Sequence, residues 1–317
     1  MAETFVARMQ EHLSRELRLP CLPLNSVSHQ TNIGSERFAY LMSGPQITVA
    51  LPVYNGQEHL TQAIDSVLKQ TFVDFELLIL DNCSVDQTLK IAQSFHDPRI
   101  RIVSNEKNIG MIGNWNKAVE LALGEYIKIL SHDDLLEPTC LAEQFRGFQK
   151  LTEKNIGIVT GKRQIINESG KVIMPGLGLF GPTRLISGTA VARKVIRAGR
   201  NIVGEPSVVL LRTSLLKSMG GFEEPQYTPD IKMWLKILRN SDLMFINVNL
   251  AQYRLSSTST SNTISSSQGA QFVELIRGLE GHSRNVFKRA NCLIGIIRAH
   301  LNAKLRRAIS SLAAKKI

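Results

Sequence analysis

The chain has 317 residues, of which 43% are hydrophobic and 21% are charged. This composition is typical of a folded globular protein and excludes a wholly disordered or collagen-like chain. No apolar run approaches the roughly 18–20 residues that a membrane-spanning helix needs, and the polar, acidic first residues do not resemble a secretory signal. The four cysteines form no C-x-x-C pair, which favours a reducing, cytoplasmic environment.

The net charge of +11 is concentrated in the C-terminal part of the sequence. Residues 271–317 contain ten Lys or Arg and two acids, so this region carries +8 of the total. Apolar and basic residues alternate there in a helical pattern, which is typical of a helix in peripheral contact with an anionic membrane. A solvated helix face is the alternative. Nucleic-acid binding is disfavoured, because aromatic and basic residues are not interleaved.

Short apolar runs alternate with helical periods from Ile47 onward. The predicted strands are ITVALPVY, FELLILD, IRIVSN and EYIKIL. Because the connections are short and helical, we predict an α/β fold with a mostly parallel central sheet and helices on both faces. Residues 1–45 precede this pattern and are predicted to be an N-terminal extension.

The pattern changes after about residue 155. Two strands are predicted around a turn at Glu168–Gly170, followed by a basic helix over Thr189–Gly199 and a further helix over Asp230–Asn240. A polar, serine-rich stretch follows, and helical periodicity resumes at about Gln268. The sequence therefore predicts three parts: the extension 1–45, a domain over 46–260, and a linker with a basic helical region over 261–317.

Polar clusters follow the predicted strands of the first half. They are Tyr54-Asn55, Asp81-Asn82, Ser104-Asn105 and His132-Asp133-Asp134. In wound parallel sheets, ligands bind beyond the carboxyl ends of the strands. These side chains can cap turns and helices. The alternative is that Asp133-Asp134 bind a divalent metal and that Asp81 faces the base or ribose of a nucleotide.

Six motifs occur in a fixed order along the chain. They are VALPVYNGQEHL, LDNCSVDQT, NEKNIGMIGNWNKA, GEYIKILSHDDLLEP, GGFEEPQYTPDIKMWLK and YRLSSTS. With these motifs the chain resembles the family 2 glycosyltransferases over roughly Ile47–Ser259. The resemblance implies the GT-A fold, with a nucleotide-binding half over 46–138 and an acceptor half over 139–260. It also implies inverting transfer of a sugar from a nucleotide-diphospho-sugar donor to a hydroxyl group, with Mn²⁺ or Mg²⁺ as cofactor.

The resemblance implies roles for particular residues. Its donor-binding positions are Pro52, Tyr54, Asn55, Glu58, Asp81, Ser84, Asn108, Gly110, Asn116, Asp133 and Arg254. Asp133 matches the last acid of the metal-binding DXD motif, Ser131 stands at its first acid, and Asp134 is predicted to be a second metal ligand. Asp230 matches the general base, and Glu205 lies where the acceptor is expected.

The implied acceptor is a saccharide or a lipid-linked glycan, used in cell-surface polysaccharide or lipopolysaccharide synthesis. The Q-x-x-R-W motif of processive synthases is absent from the sequence, which favours transfer of a single sugar. Because the metal motif is altered, an inactive protein that binds nucleotide-sugars, or a scaffold, is the alternative. A Rossmann dehydrogenase is disfavoured, since no G-x-G-x-x-G follows the first strand.

Overall fold

The computed structural model describes residues 44–150, 154–223, 229–255, 268–279 and 291–302. Residues 1–43 of the predicted extension and 261–267 of the predicted linker lie outside the described residues. Pro45–Ile317 form one compact unit.

The described elements alternate between strand and helix through the first four strands, and the strands and helices after them follow no regular alternation. The strands are β1 (Ile47–Val53), β2 (Phe75–Asp81), β3 (Ile100–Ser104), β4 (Tyr126–Ile129), β5 (Leu135–Leu136), β6 (Ile156–Ile166), β7 (Val172–Leu177), β8 (Arg184–Ile186), β9 (Val209–Arg212) and β10 (Asp242–Arg254). The helices are α1 (Leu60–Leu68), α2 (Thr88–Gln93), α3 (Gly110–Leu121), α4 (Cys140–Gln149), α5 (Gly188–Ala198), α6 (Thr213–Ser218), α7 (Pro229–Ile237), α8 (Gln268–Leu279) and α9 (291–302). A 3₁₀ turn over Pro206–Val208 precedes β9.

The first four strands form a parallel ladder in the order β3-β2-β1-β4. Every residue of β1 and β2 is buried, as expected of continuous apolar runs that are covered on both faces of a sheet. Glu76 within β2 is buried as well, and it accepts hydrogen bonds from Thr48 at 2.6 Å and Arg101 at 2.9 Å. The prediction of an α/β fold with a parallel central ladder is confirmed.

The second half of the sheet is mixed. β9 lies antiparallel between β4 and β6, whereas β6 and β10 are parallel to each other. β5, β7 and β8 add antiparallel pairs to β10 and β6. This arrangement places the segment that leads into β9 directly beside the end of β4.

The two described C-terminal helices pack on the domain. α8 begins at Gln268, as predicted. α9 lies against the end of α5, where Asn302 Nδ2 donates to the Ala198 carbonyl at 3.0 Å. A Cβ atom at Gly295 would lie 2.1 Å from the Ile196 carbonyl oxygen, so this close approach requires glycine. Among the described residues, none of the helices has the length and apolarity to cross a membrane.

Candidate active site

The carboxyl ends of the first three strands lie side by side. Val53 of β1 pairs with Asp81 of β2, and Asp81 pairs with Ser104 of β3. Because these strands are parallel, the loops that follow them leave the same edge of the sheet. The polar clusters after β1, β2 and β3 therefore converge, as predicted.

Asn55 and Ser84 join the loops that follow β1 and β2. The Asn55 N–H donates to Ser84 Oγ at 2.9 Å, and the Asn55 side-chain oxygen accepts from the Val85 N–H at 2.9 Å. Asp81 lies buried beneath them, with its carboxylate oxygens 3.2 and 3.3 Å from the Ser84 nitrogen. These three predicted residues form one connected group, and Tyr54 is exposed beside it. Pro52 is buried one residue before the end of β1.

A network of asparagines braces the loops after β2 and β3, and only Asn108 of its members was a predicted site residue. Asn82 Nδ2 donates to Asn108 Oδ1 at 2.9 Å, and Asn82 Oδ1 accepts from Asn105 Nδ2 at 2.9 Å. Asn108 Oδ1 also accepts from the N–H of Gly110, where α3 begins, at 2.8 Å. Asn105 donates in addition to Asn114 at 2.9 Å. The Asn108 side chain therefore holds this loop in place, a role that the turn-forming sequence NEKNIG already suggests.

His132 connects the loop after β4 with the loop after β1. A Cβ atom at Gly56 would lie only 2.6 Å from His132 Cδ2, so the loop after β1 passes this ring at a distance that only glycine allows. Burial lowers the pKa of His132, although the neighbouring Asp133 carboxylate opposes this shift. His132 is half-buried, and its ring packs the loop that carries Asp133 against the loop after β1.

The two acids after β4 have different environments. Asp133 is half-buried, whereas Asp134 is fully buried. Asp134 Oδ2 accepts from Ser207 Oγ at 2.5 Å, and Oδ1 accepts from the Arg254 backbone N–H at 3.0 Å. Burial, with the negative charge of Asp133, raises the pKa of Asp134 well above its usual value. These contacts hold the loop after β4 in place, and they do not support the predicted role of Asp134 as a metal ligand. Asp133 is the more accessible of the two acids.

Arg254, which the resemblance places near the donor phosphates, is fully buried at the end of β10. Its Nε donates to the Asp133 carbonyl at 2.9 Å, and one terminal nitrogen donates to the carbonyls of Asn167 and Glu168 at 3.1 and 2.8 Å. The other terminal nitrogen donates to Gln62 Oε1 at 2.8 Å. These bonds use four of the five N–H donors of a guanidinium. Arg254 therefore clamps the loop after β4, the β6–β7 turn and α1 together.

Glu58 lies exposed just before α1, close to the same clamp. Its carboxylate, a His59 ring nitrogen and the Glu168 carboxylate lie within 4.8 Å of one another. His59 Nε2 is 3.2 Å from Glu168 Oε2. The β6–β7 turn thus adds an acid beside a predicted donor-binding residue, which sequence analysis did not find because the two are far apart in the chain.

Asp230 lies in the first turn of α7 and is half-buried. Asn201 Nδ2 donates to Asp230 Oδ2 at 2.7 Å, and the Ile231 N–H donates to Oδ1 at 2.8 Å. Burial raises the pKa of Asp230 to about 7, and the negative charge of Glu205 adds to this rise against the two hydrogen bonds. A carboxyl group with a pKa near 7 can accept a proton at neutral pH.

Glu205 precedes the 3₁₀ turn and is held by Arg163 of β6. Arg163 donates to Glu205 Oε1 at 2.9 Å and contacts the second carboxylate oxygen through Nε. The arginine is buried, and the Glu205 side chain is partly exposed. Glu205 is therefore fixed in place, with its side chain partly exposed.

Asn116 has a different setting from the other predicted donor residues. Its amide donates to the Phe222 carbonyl at 3.0 Å and accepts from the Phe222 N–H at 2.7 Å. In the part of the chain that the structure describes, no hydrogen bond joins Asn116 to the loops after β1 and β2. Its contacts support a role in holding the Gly221-Phe222 turn against α3.

A continuous series of contacts links the predicted acids. Asp81 contacts Ser84, Ser84 contacts Asn55, and the next residue, Gly56, packs against His132. His132 lies in the loop after β4, in which Asp134 contacts Ser207. Segment 201–207 then leads from Ser207 to Asn201, which contacts Asp230. Ser207 and Asn201 lie in one short segment, and they contact Asp134 and Asp230 respectively. The loop that carries Asp133 and the helix that carries Asp230 are therefore joined through this segment.

The possible metal ligands around Asp133 can be compared with the coordination preferences of a divalent metal. Mg²⁺ and Mn²⁺ prefer carboxylate oxygens and are often bound by one or two carboxylates together with substrate phosphates. Asp133 is only half-buried, while Ser131 stands at the first acid of the motif and Asp134 faces the interior. The residues fit a metal that takes few ligands from the protein and the rest from a bound diphosphate.

Comparison with known proteins agrees with this arrangement. The family model described as glycosyl transferase family 2 matches residues 48–206, which is half of the chain. The chain is also 30% identical over 221 residues to the UDP-Glc:alpha-D-GlcNAc-diphosphoundecaprenol beta-1,3-glucosyltransferase WfgD of Escherichia coli. That alignment covers 68% of this chain and 79% of the relative.

Two solved structures share the fold. S. aureus TarS in complex with UDP-GlcNAc superposes with a TM-score of 0.63 at 18% identity, over 81% of this chain and 73% of that chain. The mannosyltransferase PcManGT from Pyrobaculum calidifontis, in complex with GDP-Man and Mn²⁺, gives a TM-score of 0.56 at 16% identity, over 90% and 88%. At these identities the likeness shows the fold alone, and it confirms the predicted GT-A fold.

The matched region contains the loops that carry Asp81 and Asp133, so the motifs and the family model identify the same part of the molecule. The likeness to WfgD covers two thirds of the chain, and together these findings show a transferase. This chain belongs to glycosyltransferase family 2.

Proposed function

We propose that the protein transfers one sugar from a nucleotide-diphospho-sugar to an acceptor hydroxyl, with inversion at the anomeric carbon and Asp230 as general base. The observation that carries this proposal is the environment of Asp230. Its carboxylate accepts two hydrogen bonds that fix its orientation, and its pKa is raised to about 7. A base with this pKa is largely ionised just above neutral pH and still basic enough to accept a proton.

The donor binds at the carboxyl edge of the parallel ladder in this proposal. Asp81, Asn55 and Ser84 form hydrogen bonds with the base and ribose of the donor. The exposed side chains of Tyr54 and Glu58 border the same part of the donor. The connected contacts among Asp81, Ser84 and Asn55 support this assignment, because they hold the loops in a defined shape. Pro52, Asn108, Gly110 and Asn116 shape the site through the backbone and loop contacts described above.

Asp133 holds Mn²⁺ or Mg²⁺ against the donor diphosphate in this proposal. When bound, the metal supplies positive charge that stabilises the leaving nucleotide diphosphate. The protein contributes by fixing the loop: Asp134 is anchored to Ser207, and Arg254 holds the Asp133 carbonyl. Because its guanidinium is buried, Arg254 then acts on the donor through this loop and not by direct contact.

Asp230 takes the proton of the acceptor hydroxyl as that oxygen attacks the anomeric carbon. The bond to the nucleotide diphosphate breaks in the same displacement, and its electron pair leaves with the phosphate oxygen. A base on the side opposite the leaving group gives inversion, and no nucleophile of the protein is required. Glu205 is a candidate for contact with the acceptor, because its partly exposed side chain lies on the segment that also holds Asp230 in place.

The acceptor is proposed to be a saccharide or lipid-linked glycan of polysaccharide or lipopolysaccharide synthesis in the cytoplasm. The name of the relative WfgD specifies a diphosphoundecaprenol-linked acceptor for that protein. A lipid-linked acceptor would require this enzyme to work at a membrane surface. The exposed side chains of α9 support such a contact.

α9 exposes an apolar stripe with one residue per turn. Leu293, Ile297 and Leu301 are 61%, 53% and 59% exposed, and Arg298 is exposed beside them. Arg298 donates to the Arg197 carbonyl at 3.1 Å, which brings α9 next to the end of α5. The exposed basic residues of that neighbouring segment are Arg193, Lys194, Arg197 and Arg200. Apolar side chains beside basic ones match an anionic lipid surface.

We expect the Ile297→Glu variant to bind vesicles of phosphatidylglycerol and phosphatidylcholine at least about tenfold more weakly than the wild type. The change removes an apolar group that binding would bury and adds repulsion from anionic lipid. Co-sedimentation measures the bound fraction, which should also fall as salt is raised. Leu123→Glu is the matched control, since Leu123 is equally exposed but lies at the end of α3. Equal binding of the two variants and the wild type would contradict the membrane contact.

The proposed activity is tested with a panel of UDP- and GDP-sugars, with and without Mn²⁺. We expect one donor to raise the melting temperature only when Mn²⁺ is present, because a ligand that binds the folded state stabilises it by mass action. In the absence of acceptor, the protein should hydrolyse the same donor slowly and release the nucleotide diphosphate. Metal-dependent binding without any turnover in the presence of acceptor glycans would favour the inactive, nucleotide-sugar-binding alternative, which the Ser131 substitution in the metal motif suggests.

A further inference from the structure

Asn201 is a half-buried hydrogen-bond partner of Asp230 and belongs to none of the six sequence motifs. It follows α5 and lies in a turn over residues 201–204, here called the Asn201 turn. We propose that Asn201 is the positioning residue of the general base: it holds the Asp230 carboxylate in one orientation and stabilises its ionised form. This inference rests on the proposed function, which gives Asp230 its catalytic role.

The hydrogen bonds of Asn201 determine which way its amide faces. Its Oδ1 accepts from the N–H groups of Val203 and Gly204, at 3.0 and 2.9 Å. A flipped amide would set an NH₂ group against two N–H donors, so only one orientation satisfies the turn. Nδ2 therefore points away from these donors, and it donates to Asp230 Oδ2 at 2.7 Å and to the Gly204 carbonyl at 2.9 Å.

The Asn201 turn is attached to α7 at two points. Trp234 lies four residues after Asp230, hence on the same face of the helix, and its Nε1 donates to the Gly204 carbonyl at 3.0 Å. Gly204 has φ of +123°, and a Cβ atom there would lie 2.2 Å from Val208, so only glycine fits. The turn is thus held against the helix by Asn201 and Trp234, but only Asn201 contacts the carboxylate.

The charged groups near Asp230 are few among the described residues. Glu205 raises the pKa of Asp230 and is itself paired with Arg163. On α7, Lys232 and Lys236 are 2.6 and 2.5 Å from the carboxylate of Glu223, so both are paired elsewhere. Among the described residues, three hydrogen bonds favour the ionised form, from the Ile231 N–H, the Asn201 amide and the N–H of Asp230 itself, and Asn201 alone supplies a side-chain donor.

The test is a ¹³C NMR titration of the Asp carboxyl carbons in the full-length protein without donor. The signal of Asp230 is assigned by its loss in Asp230→Asn. In Asn201→Ala we expect its titration midpoint to rise by about one pH unit, which is a tenfold change in the ionised fraction below the midpoint. In Asn201→Asp the rise should be larger, because the new carboxylate still accepts from the turn N–H groups but repels the Asp230 charge.

Trp234→Phe is the matched control. It removes the second attachment of the same turn without touching the carboxylate, so its midpoint should stay within about 0.3 pH unit of the wild type, well below the expected shift. An unchanged midpoint in both Asn201 variants would overturn the proposal. An equal shift in Trp234→Phe would also overturn it, since it would show that loosening the turn is sufficient.

The NMR result on Asn201 can be distinguished from the test of the proposed function, because the titration requires neither nucleotide-sugar donor nor turnover. If Asp230→Asn keeps full transferase activity, the base assignment is wrong whatever the NMR midpoint. If Asp230→Asn is inactive but Asn201→Ala titrates like the wild type, the base assignment stands and Asn201 is merely structural.

Discussion

The Asp230→Asn variant is expected to transfer sugar at a rate about 10²–10⁴-fold below that of the wild type, the range typical of a lost general base. Donor binding should remain, because Asp230 contacts Asn201 and its own helix rather than the loops that hold Asp81. Asn has nearly the same shape and can still accept a hydrogen bond from Asn201, so the loss would reflect chemistry and not folding. The transfer rate and the donor affinity are measured for the wild type and for Asp230→Asn under the same conditions.

The wild-type rate should also depend on pH in a defined direction. Burial raises the pKa of Asp230 to about 7, and only the ionised carboxylate can accept the proton. The rate should therefore be high above pH 7 and fall by about tenfold per pH unit below that midpoint.

Asp65→Asn is the matched control for this experiment. Asp65 lies on α1, is partly exposed and, among the described residues, forms its ion pair with Lys69 at 3.6 Å, so its replacement should leave rate and pH profile unchanged. An Asp230→Asn enzyme that keeps most of its activity, or a rate that rises as the pH falls below 7, would contradict the assignment of Asp230 as base.

Replacing Arg254 with Met is expected to lower the free energy of unfolding by about 3–5 kcal/mol. The change leaves four acceptors without their donor: the carbonyls of the half-buried Asp133 and Asn167, and the Glu168 carbonyl and Gln62 Oε1, which belong to exposed residues. Each acceptor left unpaired inside the protein costs about 1–3 kcal/mol, partly offset because a buried charge is also removed. Urea unfolding of the two proteins gives the difference.

Arg146→Met provides the comparison for Arg254→Met. Arg146 is exposed and bonds only Glu143 within its own helix, so its loss should change the unfolding free energy by less than about 0.5 kcal/mol. If Arg254 served the donor phosphates alone, Arg254→Met would keep its stability and lose only the Mn²⁺-dependent stabilisation by donor. That result would contradict the clamp that the contacts describe.

The first half of the fold was predictable from the sequence because its signals are local. β1 and β2 are continuous apolar runs, and both are buried over their whole length. The helical period between them marks α1, and the Asn and Asp residues that end each run mark the carboxyl edge. The prediction that Asp81 lies at this edge follows from the end of a strand, which needs no knowledge of distant residues.

Lys128 shows where local signals fail. The run EYIKIL correctly predicts β4, but its lysine is fully buried in the sheet. Its ammonium group donates to the carbonyls of Ser207 and Val209 at 2.9 and 3.2 Å, and burial lowers its pKa. These acceptors lie some 80 residues further along the chain, so no pattern within the strand indicates them.

The roles of the site residues were likewise decided by distant partners. Asp134 is bonded to Ser207, 73 residues away, and Arg254 to Gln62, 192 residues away. The resemblance predicts both Asp133 and Asp134 as metal ligands, and nothing local in the sequence shows that one of them is buried. The packing of segment 201–209 against the end of β4 separates them, because it buries one carboxylate and leaves the other accessible.

The sequence by itself determined that this is an α/β protein with polar and acidic residues at the strand ends, and its ordered motifs indicated the family. Only the tertiary structure decided which of those residues face the interior, that Asn201 meets Asp230, and that Arg254 serves as a clamp. The physical reason is that apolar periodicity can be recognised within about ten neighbouring residues. The environment of a charged side chain depends instead on hydrogen-bond donors that are distant in the sequence and that only folding brings close.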